Sequence, residues 1–597
     1  MASAQVNGFI GMQYSREGSD YEKGDYKFFN EQYATSSYVD VLDPNGKPLH
    51  DLNPAHIFRP KDDNDVKAVI KYAVENKVGI AIKSGGHQYS GASSCGDKNV
   101  QLDLSNTYKD LKIIDVNVLD KPKITVADDR VLVFAGVSNQ LQDFLAYLTS
   151  HKLFAPTGQC AYVCLGGHGQ TGGYGQLGRS FGLLGDYIVD IRLIDHKGEV
   201  LHVNQDHNAE LFNAIRGGSP GNFGVVTHYT ISALKAKSYM GIENTIKTPN
   251  SAKPKTFHGP HGIKGAWIFN EDRLKTLLNV VAEMSDKGTA SRGFDLCVNV
   301  LSTEFDIVKL FPALKDDKNW KTLQKAVDVF LDGPVKALLK GRLPPLIVLY
   351  AQWCPVGDQQ KYDASVDAWF QQFRELDDLL LGCIQFDEIS ADMSDMVGHW
   401  LFPKRREFPL PYVKRTYATN SKTLGKDGWV DKLVGRLKKI CDPTEKLDDA
   451  NEKPVDNPLY DNCKLSAQIQ CFGGQNSMFY NNRNNGAAYS WRDSTVLQTV
   501  DCWYLNSDQP NYELSRKLAN DWQTKNDSVM IGASSCFSKT DRRVLWGSWG
   551  DWDMAKPEVW KTYYEDEAKY QSIGKVRAAA DPNGTFTANP FAVARQN

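Results

Sequence analysis

No tryptophan occurs in the first 266 residues, although 13 follow. No apolar run approaches the roughly 20 residues that a membrane-spanning helix requires. The formal net charge is only -3, from 69 Lys and Arg against 72 Asp and Glu, so no basic field is available to hold nucleic acid or an anionic membrane. The first thirty residues are polar and charged and lack the apolar core of a secretory signal, so a soluble, intracellular, cytoplasmic protein is expected. The 11 cysteines run from Cys95 to Cys536 without the paired short spacings of a zinc site or a small disulfide scaffold. Buried thiols and no metal are expected, and a disulfide across the polar stretch between Cys441 and Cys463 is not expected in a reducing compartment. The sequons at Asn526 and Asn583 would matter only on export. Small molecules are the partners these absences leave.

What is present is enough chain, 597 residues with 41% hydrophobic content, for two large domains. From about residue 54 to 231 the pattern alternates between helix (65–76 and 139–151) and strand (78–82, 100–104 and 131–135), the reading of an α/β module. A hairpin over 187–194 and 200–203 turns around His196-Lys-Gly198, and a strand follows at 224–231. Beyond about Leu234 strand-like runs (296–301, 346–352, 383–386, 466–472 and 495–501) mix with helical ones (271–284, 359–375 and 429–440). That mixture predicts a broad sheet covered by helices on one face. The tryptophans confined to this part are expected mainly in its core, with an aromatic-walled cleft as the alternative.

Two segments carry chemistry. Ser84-Gly-Gly-His87 directly follows the strand ending at Ile82, and adjacent glycines let successive backbone N–H groups converge on an anion such as a dinucleotide pyrophosphate, with Lys83 nearby. Taken alone this turn is equally consistent with an incidental histidine. Residues 158–178 then hold eight glycines in 21 positions, interrupted by Cys160, Val163, Leu165 and His168. A flexible linker would be bland and polar; this segment instead suits close backbone approach to a large flat ligand. Gly167–Gly172 matches Gly-x-Gly-x-x-Gly, but without the strand-loop-helix context and the acidic residue about twenty positions on, so a Rossmann site is rejected.

Lys83-Ser-Gly-Gly-His-Gln-Tyr-Ser-Gly91, Gly158-Gln-Cys-Ala-Tyr-Val-Cys-Leu-Gly-Gly-His168 and Arg216-Gly-Gly-Ser-Pro-Gly-Asn-Phe-Gly-Val-Val226, in this order, resemble the berberine-bridge-enzyme-like branch of the vanillyl-alcohol oxidase flavoproteins. Fainter matches follow at Phe472-Gly-Gly474, Arg492-Asp493 and Asp581-Pro-Asn-Gly-Thr-Phe586. The resemblance implies an α+β fold. An FAD-binding domain of two α/β subdomains would span 1–236, completed by 556–597, and a substrate domain with a large antiparallel sheet under helices would span 237–555. It implies FAD bonded covalently through His87 and Cys160, Cys164 being the weaker candidate. Ser84, Gly85, Gly86, Gln88, Gly158, Val163, Gly166, Gly167, His168, Gly172, Gly173, Gly175 and Val226 would contact the cofactor. Val163 borders the oxygen-accessible face in such proteins, which implies an oxidase that reduces O2 to H2O2.

The same alignment departs from the family where a catalytic base is needed. Gln470 and Trp549 fall at the positions of the aspartate and tyrosine of oligosaccharide-oxidising relatives, and Thr499 falls near the glutamate of alkaloid-oxidising ones. Tyr89, two after His87, matches a family tyrosine near the flavin and is the first candidate for positioning or deprotonating a substrate, with Gln468, Gln470 and Asp501 as polar pocket residues. Strand alternation puts Leu497, Thr499 and Asp501 on one face. The expected reaction is two-electron oxidation of an alcohol or related C–H donor. The same anchors also suit a dehydrogenase with another electron acceptor, or a flavin-binding protein whose site is silent or non-redox.

Overall fold

The computed structural model of the chain describes residues 6–18, 52–88, 91–96, 98–118, 126–286, 290–302, 344–376, 382–400, 410–445, 457–549 and 553–596. Tyr89 and residues 446–456 of the polar stretch after Cys441 lie outside them.

The N-terminal half builds two sheets. In the first, Met12–Ser15, His56–Arg59, Val100–Asp103 and Ile80–Lys83 lie side by side in that order, the last three mutually parallel. The helix Asp63–Asn76 makes the crossover between two of these parallel strands. Its start is fixed by Asp62, whose carboxylate accepts from the backbone N–H groups of Asn64 (2.8 Å) and Asp65 (3.2 Å), and its end by Lys77 in the left-handed region at φ 54°. Its Val66, Val69, Ile70 and Ala73 are buried at helical spacing.

The second sheet orders Leu111–Ile114, Arg130–Gly136, Val225–Lys235, Ile188–Ile194 and Val200–Asn204, with Leu153–Phe154 pairing onto Val225–Lys235. All its pairings are antiparallel, including the expected hairpin around Gly198. The C-terminal segment returns to this half of the molecule. Ile80 N–H donates to the Thr585 carbonyl (2.8 Å), and the Asn589 amide donates to the carbonyls of Ala92 (2.7 Å) and Ser94 (2.9 Å).

The third sheet has seven antiparallel strands in the order Cys383–Ser390, His261–Ile268, Leu346–Trp353, Phe294–Leu301, Lys464–Cys471, Val496–Trp503 and Tyr412–Thr419. Side chains alternate between its faces. One face, including Val298, Leu349, Ile469, Val500 and Val413, packs with the helices Glu271–Asp286, Ala364–Arg374, Trp429–Cys441 and Tyr512–Met530 into one apolar core. Trp267, Trp353, Trp429, Trp522 and Trp549 belong to that core, so packing there accounts for five of the 13 tryptophans. The opposite face carries Lys414, Asp501, Thr499, Gln468, Gln470, Cys297 and Asn299 in register across four strands. It is turned towards the glycine-rich segment.

The α+β fold is therefore that read from the sequence, and the structure adds elements that were not read, among them the strands His261–Ile268 and Tyr412–Thr419 and the helices Tyr512–Met530 and Glu567–Ala580. The first strand is interrupted by Gly262 and Gly265, and the second carries Lys414 and Arg415 at its centre, so neither reads as an apolar run. All 11 cysteines are free thiols, Cys441 and Cys463 among them. Asn526, in one sequon, is buried with its side-chain oxygen accepting from Arg436 Nε at 2.6 Å. Among the described residues no helix is long and apolar enough to cross a membrane.

A buried guanidinium ties the glycine-rich segment to this sheet. Arg179 donates to the carbonyls of Ala290 (3.1 Å), Ser291 (2.9 Å), Phe294 (2.6 Å) and Gly473 (3.1 Å). Beside it the Asp295 carboxylate accepts from the backbone N–H groups of Arg179 (3.0 Å) and Ser180 (3.2 Å) and from the Ser180 hydroxyl. Truncating Arg179 would strand the buried Gly473 carbonyl and remove the donor of three partly buried ones. Arg179→Met is expected to lower the free energy of unfolding by about 3–5 kcal/mol, measured by urea denaturation against the parent chain; a loss under about 1 kcal/mol would show that the seam does not depend on it.

Candidate active site

Between the glycine-rich segment and the polar face of the seven-stranded sheet lies a cleft of about 1380 Å³, its open mouth included. Three separate stretches of the first half meet on one side of it. The turn after Ile80–Lys83 supplies Ser84, Gly85, Gly86, His87 and Gln88; the segment 158–174 supplies Gly158, Cys160, Val163, Cys164, Gly166, Gly167, His168 and Gly173, among others; the turn before Val225–Lys235 supplies Pro220, Gly221, Gly224 and Val226. Residues far apart in sequence are thus gathered by the two sheets, each stretch leaving the end of a strand or entering the start of one.

Glycine is needed at particular points of this wall. Gly86 turns at φ +68°, where a side chain is strained. A Cβ at Gly175 would lie 1.6 Å from the Thr157 carbonyl oxygen, and one at Gly158 would lie 2.8 Å from the His168 ring. Gly172 and Gly175 stand behind the wall and do not line the cleft; Gly175 instead accepts through its carbonyl from the Gln470 amide. The wall is bare backbone at Gly85, Gly166, Gly173 and Gly224 as well, where a Cβ would meet a neighbour at 3.0 Å or closer. It fits a large flat cofactor with a diphosphate, which needs N–H donors and close approach more than side-chain bulk.

Lys83 does not face this space. Its Nζ lies 3.3 Å from Asp103, which also pairs with Arg59 at 3.0 Å. The expectation of Lys83 beside a pyrophosphate is therefore corrected: the residue ends a parallel strand, and its inward side chain is claimed by the carboxylate of the neighbouring strand.

The two cysteines of the segment differ. Cys160 is half-buried and lines the cleft. Cys164 is buried with Sγ 3.5 Å from the Ser138 carbonyl, and burial pushes its thiol up to about 12, which suppresses the thiolate that a nucleophilic sulfur requires. His168 accepts from the Gly158 N–H at 2.9 Å, and desolvation lowers its ring to about 4. It is a neutral brace for the turn entering the segment. His87 shares the cleft with Cys160, and its neighbour Gln88 donates to the Leu545 carbonyl (3.0 Å) and the Ser548 hydroxyl (3.2 Å), so the turn is fastened to the opposite wall.

That wall is made by Lys414, Gln468, Gln470, Phe472, Leu497, Thr499 and Trp546. Leu497 and Thr499 share a face as strand alternation put them, and Gln468 and Gln470 line the same wall. Asp501, two positions beyond Thr499, lies on the same face but under Lys414, with Nζ to Oδ1 at 2.9 Å and side chains 0% and 1% exposed. Trp549 is absent from the cleft: it sits in the helix-side core, its Nε1 donating to the Thr416 carbonyl at 3.3 Å and its ring between the guanidinium groups of Arg415 and Arg543. Trp546 occupies the cleft instead, with Tyr174 and Phe472 beside it at centroid distances of 6.2 and 5.4 Å for Tyr174 to each. Lys414 and Trp546 were not singled out from the sequence. Lys414 lies on the unread strand, and no periodicity distinguishes Trp546 from Trp549 in the loop that holds both.

Comparison with known proteins bears on the cofactor side. Residues 54–204 match the model of an FAD binding domain. An uncharacterized FAD-linked oxidoreductase of Bacillus subtilis is 30% identical over 202 residues, 34% of this chain and 42% of that one. Berberine bridge enzyme-like 18 of Arabidopsis thaliana is 30% identical over 221 residues, 37% and 38% of the two chains. The alignments thus span about two fifths of the relatives' lengths. A solved structure of a berberine bridge enzyme variant superposes with a TM-score of 0.64 at 17% identity, covering 99% of this chain and 98% of the other. Residues 54–204 thus carry an FAD binding domain, and the chain as a whole shares the fold of that solved structure.

In such an FAD-binding domain the neutral state of His168 has a measurable consequence. Its folded value lies below the unfolded one of about 6.5, so its contribution to stability is complete above pH 6.5 and is lost as pH falls towards 4. His168→Gln keeps an acceptor for the Gly158 N–H and cannot titrate. Relative to the parent, the variant's stability should gain by about 1–2 kcal/mol on moving from pH 7 to pH 4.5, measured by chemical denaturation at both values; parallel pH profiles would refute the assignment.

Proposed function

We propose that the chain is an FAD-dependent oxidase whose flavin is bonded to both His87 and Cys160, and that it oxidises an alcohol or related C–H donor while reducing O2 to H2O2. The observation that carries the reading is the meeting of His87 and half-buried Cys160 on one glycine-lined wall, opposite a polar wall from another part of the fold. Ser84, Gly85, Gly86, Gln88, Gly158, Val163, Gly166, Gly167, His168, Gly173 and Val226 would hold the cofactor, and Gly172 and Gly175 would support them from behind. We assign 1–236 with 556–597 to FAD binding and 237–555 to the substrate.

FAD, when bound, supplies two-electron acceptor chemistry and returns the electrons to O2. The protein's share is positioning and electrostatics. Gln468 Nε2 donates to Gln470 Oε1 at 3.2 Å, and Gln470 in turn donates to the Gly175 carbonyl. This chain of amides fixes two polar groups at the cleft without needing a charge. Neither amide accepts a proton at ordinary pH, and Asp501 is engaged by Lys414, so the described wall orients a hydroxyl and excludes water but holds no free carboxylate base. Tyr89 remains the residue we assign to the hydroxyl proton.

The test is direct. Acid-precipitated protein should retain yellow colour, and peptide mass spectrometry should find FAD on peptides containing His87 and Cys160. His87→Ala and Cys160→Ala should each keep one bond, their double variant should release all flavin, and Cys164→Ala should behave as the parent. A parent chain that releases its flavin in acid removes the covalent reading, and failure to form H2O2 with any oxidised substrate removes the oxidase reading. Tyr89→Phe should lower the rate of flavin reduction by about 10²–10⁴-fold with little change in flavin content.

A further inference from the structure

The two glutamines on the sheet wall form a relay whose direction is set by one backbone atom. A peptide carbonyl only accepts, so the Gly175 carbonyl requires Gln470 to turn its NH2 end towards it. The Gln470 oxygen then faces Gln468 and accepts from Gln468 Nε2 at 3.2 Å. Cys297, directly across from Gln470 on the next strand, strengthens this order. Its sulfur accepts from the amides of Gln159 at 3.8 Å and Asn299 at 3.7 Å and lies within reach of the Gln468 amide as well. Turning either glutamine over would set oxygen against oxygen, at Gly175 for Gln470 and at Gln470 for Gln468. The outer end of the relay is therefore an acceptor, Gln468 Oε1. Among the described residues none donates to it, and Gln468 is half-buried and lines the cleft.

The neighbouring groups do not cancel this bias. The Lys414 ammonium is enclosed beside Asp501, and the Trp546 indole nitrogen is enclosed too. Thr499, directly across from Gln468, carries a hydroxyl that donates or accepts according to what it meets. A ligand hydroxyl placed between them donates to Gln468 and accepts from Thr499. A ligand carbonyl accepts from Thr499 and leaves Gln468 Oε1 facing another oxygen, cut off from the water that would otherwise donate to it. We propose that Gln468 is the specificity-determining residue of the cleft, accepting from the reacting hydroxyl of an alcohol, and that Gln470 is a positioning residue that holds it with its oxygen outwards. Oxidation to the carbonyl removes the very donor that Gln468 reads. The wall therefore holds the substrate and releases the product.

The proposal rests on reading this wall as the substrate side of the flavin site, and its test is separable from that reading because binding is measured without turnover. 2-Phenyl-2-propanol has a hydroxyl but no hydrogen on the carbon that bears it, so it cannot be oxidised there. Its methyl ether and acetophenone keep the phenyl body and the oxygen but have no donor, and Phe472 and Trp546 offer the phenyl body an apolar surface. Titration calorimetry with the flavin-loaded protein should rank the alcohol above both by about tenfold or more. Gln468→Met removes the acceptor and should bring the three ligands within about threefold of one another. Gln470→Met keeps Gln468 but lets its amide turn over, so acetophenone should gain on the alcohol although the residue that reads the ligand is intact. Each variant tests the idea independently, so one that folds is sufficient. The proposal is overturned if the parent binds the ether or the ketone as tightly as the alcohol, if the alcohol shows no saturable binding, or if a folded variant keeps the parent ranking. A relay that only braces the two walls would lower stability in both variants and leave the ranking unmoved. Release of flavin in acid would count against the covalent reading, and absence of H2O2 against the oxidase reading; neither alters these rankings.

Discussion

The close approach of bare backbone along residues 158–178 is the constraint on which the rest depends. A side chain at Gly175 would collide with the Thr157 carbonyl, and one at Gly158 with His168. Because these positions are empty, the segment lies flat, its carbonyls and N–H groups are within reach of neighbours, and the third sheet can settle on it. The Gln470 amide and the Arg179 guanidinium then secure that contact by hydrogen bonds to backbone carbonyls. The cleft is the space that remains between two surfaces held apart by this packing.

The polar face of the third sheet follows from the same arrangement. A sheet covered by helices on both faces would carry apolar residues on both. Here one face meets a cleft, so Lys414, Asp501, Thr499, Gln468 and Gln470 replace the apolar side chains that alternate with them. Lys414, Asp501, Thr499 and Gln470 are nevertheless buried and Gln468 half-buried, and each of Lys414, Asp501, Gln468 and Gln470 is hydrogen-bonded or ion-paired. Burial without such partners would cost more than the fold's margin of stability allows.

The cofactor side was legible in the sequence because its residues arrive in contiguous stretches, and glycine at such density, with apolar residues set between, suits little except close backbone approach. The helices Asp63–Asn76 and Leu141–Ser150 were also readable from apolar periodicity, whereas short first-half elements such as His56–Arg59, Leu111–Ile114 and Ala209–Ile215 were not. The opposite wall was legible only in part. Gln468, Gln470 and Thr499 followed from the family resemblance, with alternation adding Leu497 to the face of Thr499, but Lys414 depends on the pairing of Tyr412–Thr419 with Val496–Trp503, which sets it across from Asp501. A strand with two cations at its centre gives no local hint that one of them, Lys414, is matched by Asp501 and the other, Arg415, by Asp527 on the opposite face. Trp546 was missed for a simpler reason: loops have no period from which to infer direction.

The strict alternation of these strands separates two evolutionary tasks. Positions 414, 468, 470, 497 and 499 face the cleft, while their immediate neighbours 413, 469 and 500 fill the helix-side core. Drift at the first set can redirect which molecules are accepted without eroding the packing that the second set maintains. Lys414 is the exception, because it is ion-paired with Asp501 on the neighbouring strand and a change at either position alters the setting of a buried charge at the other.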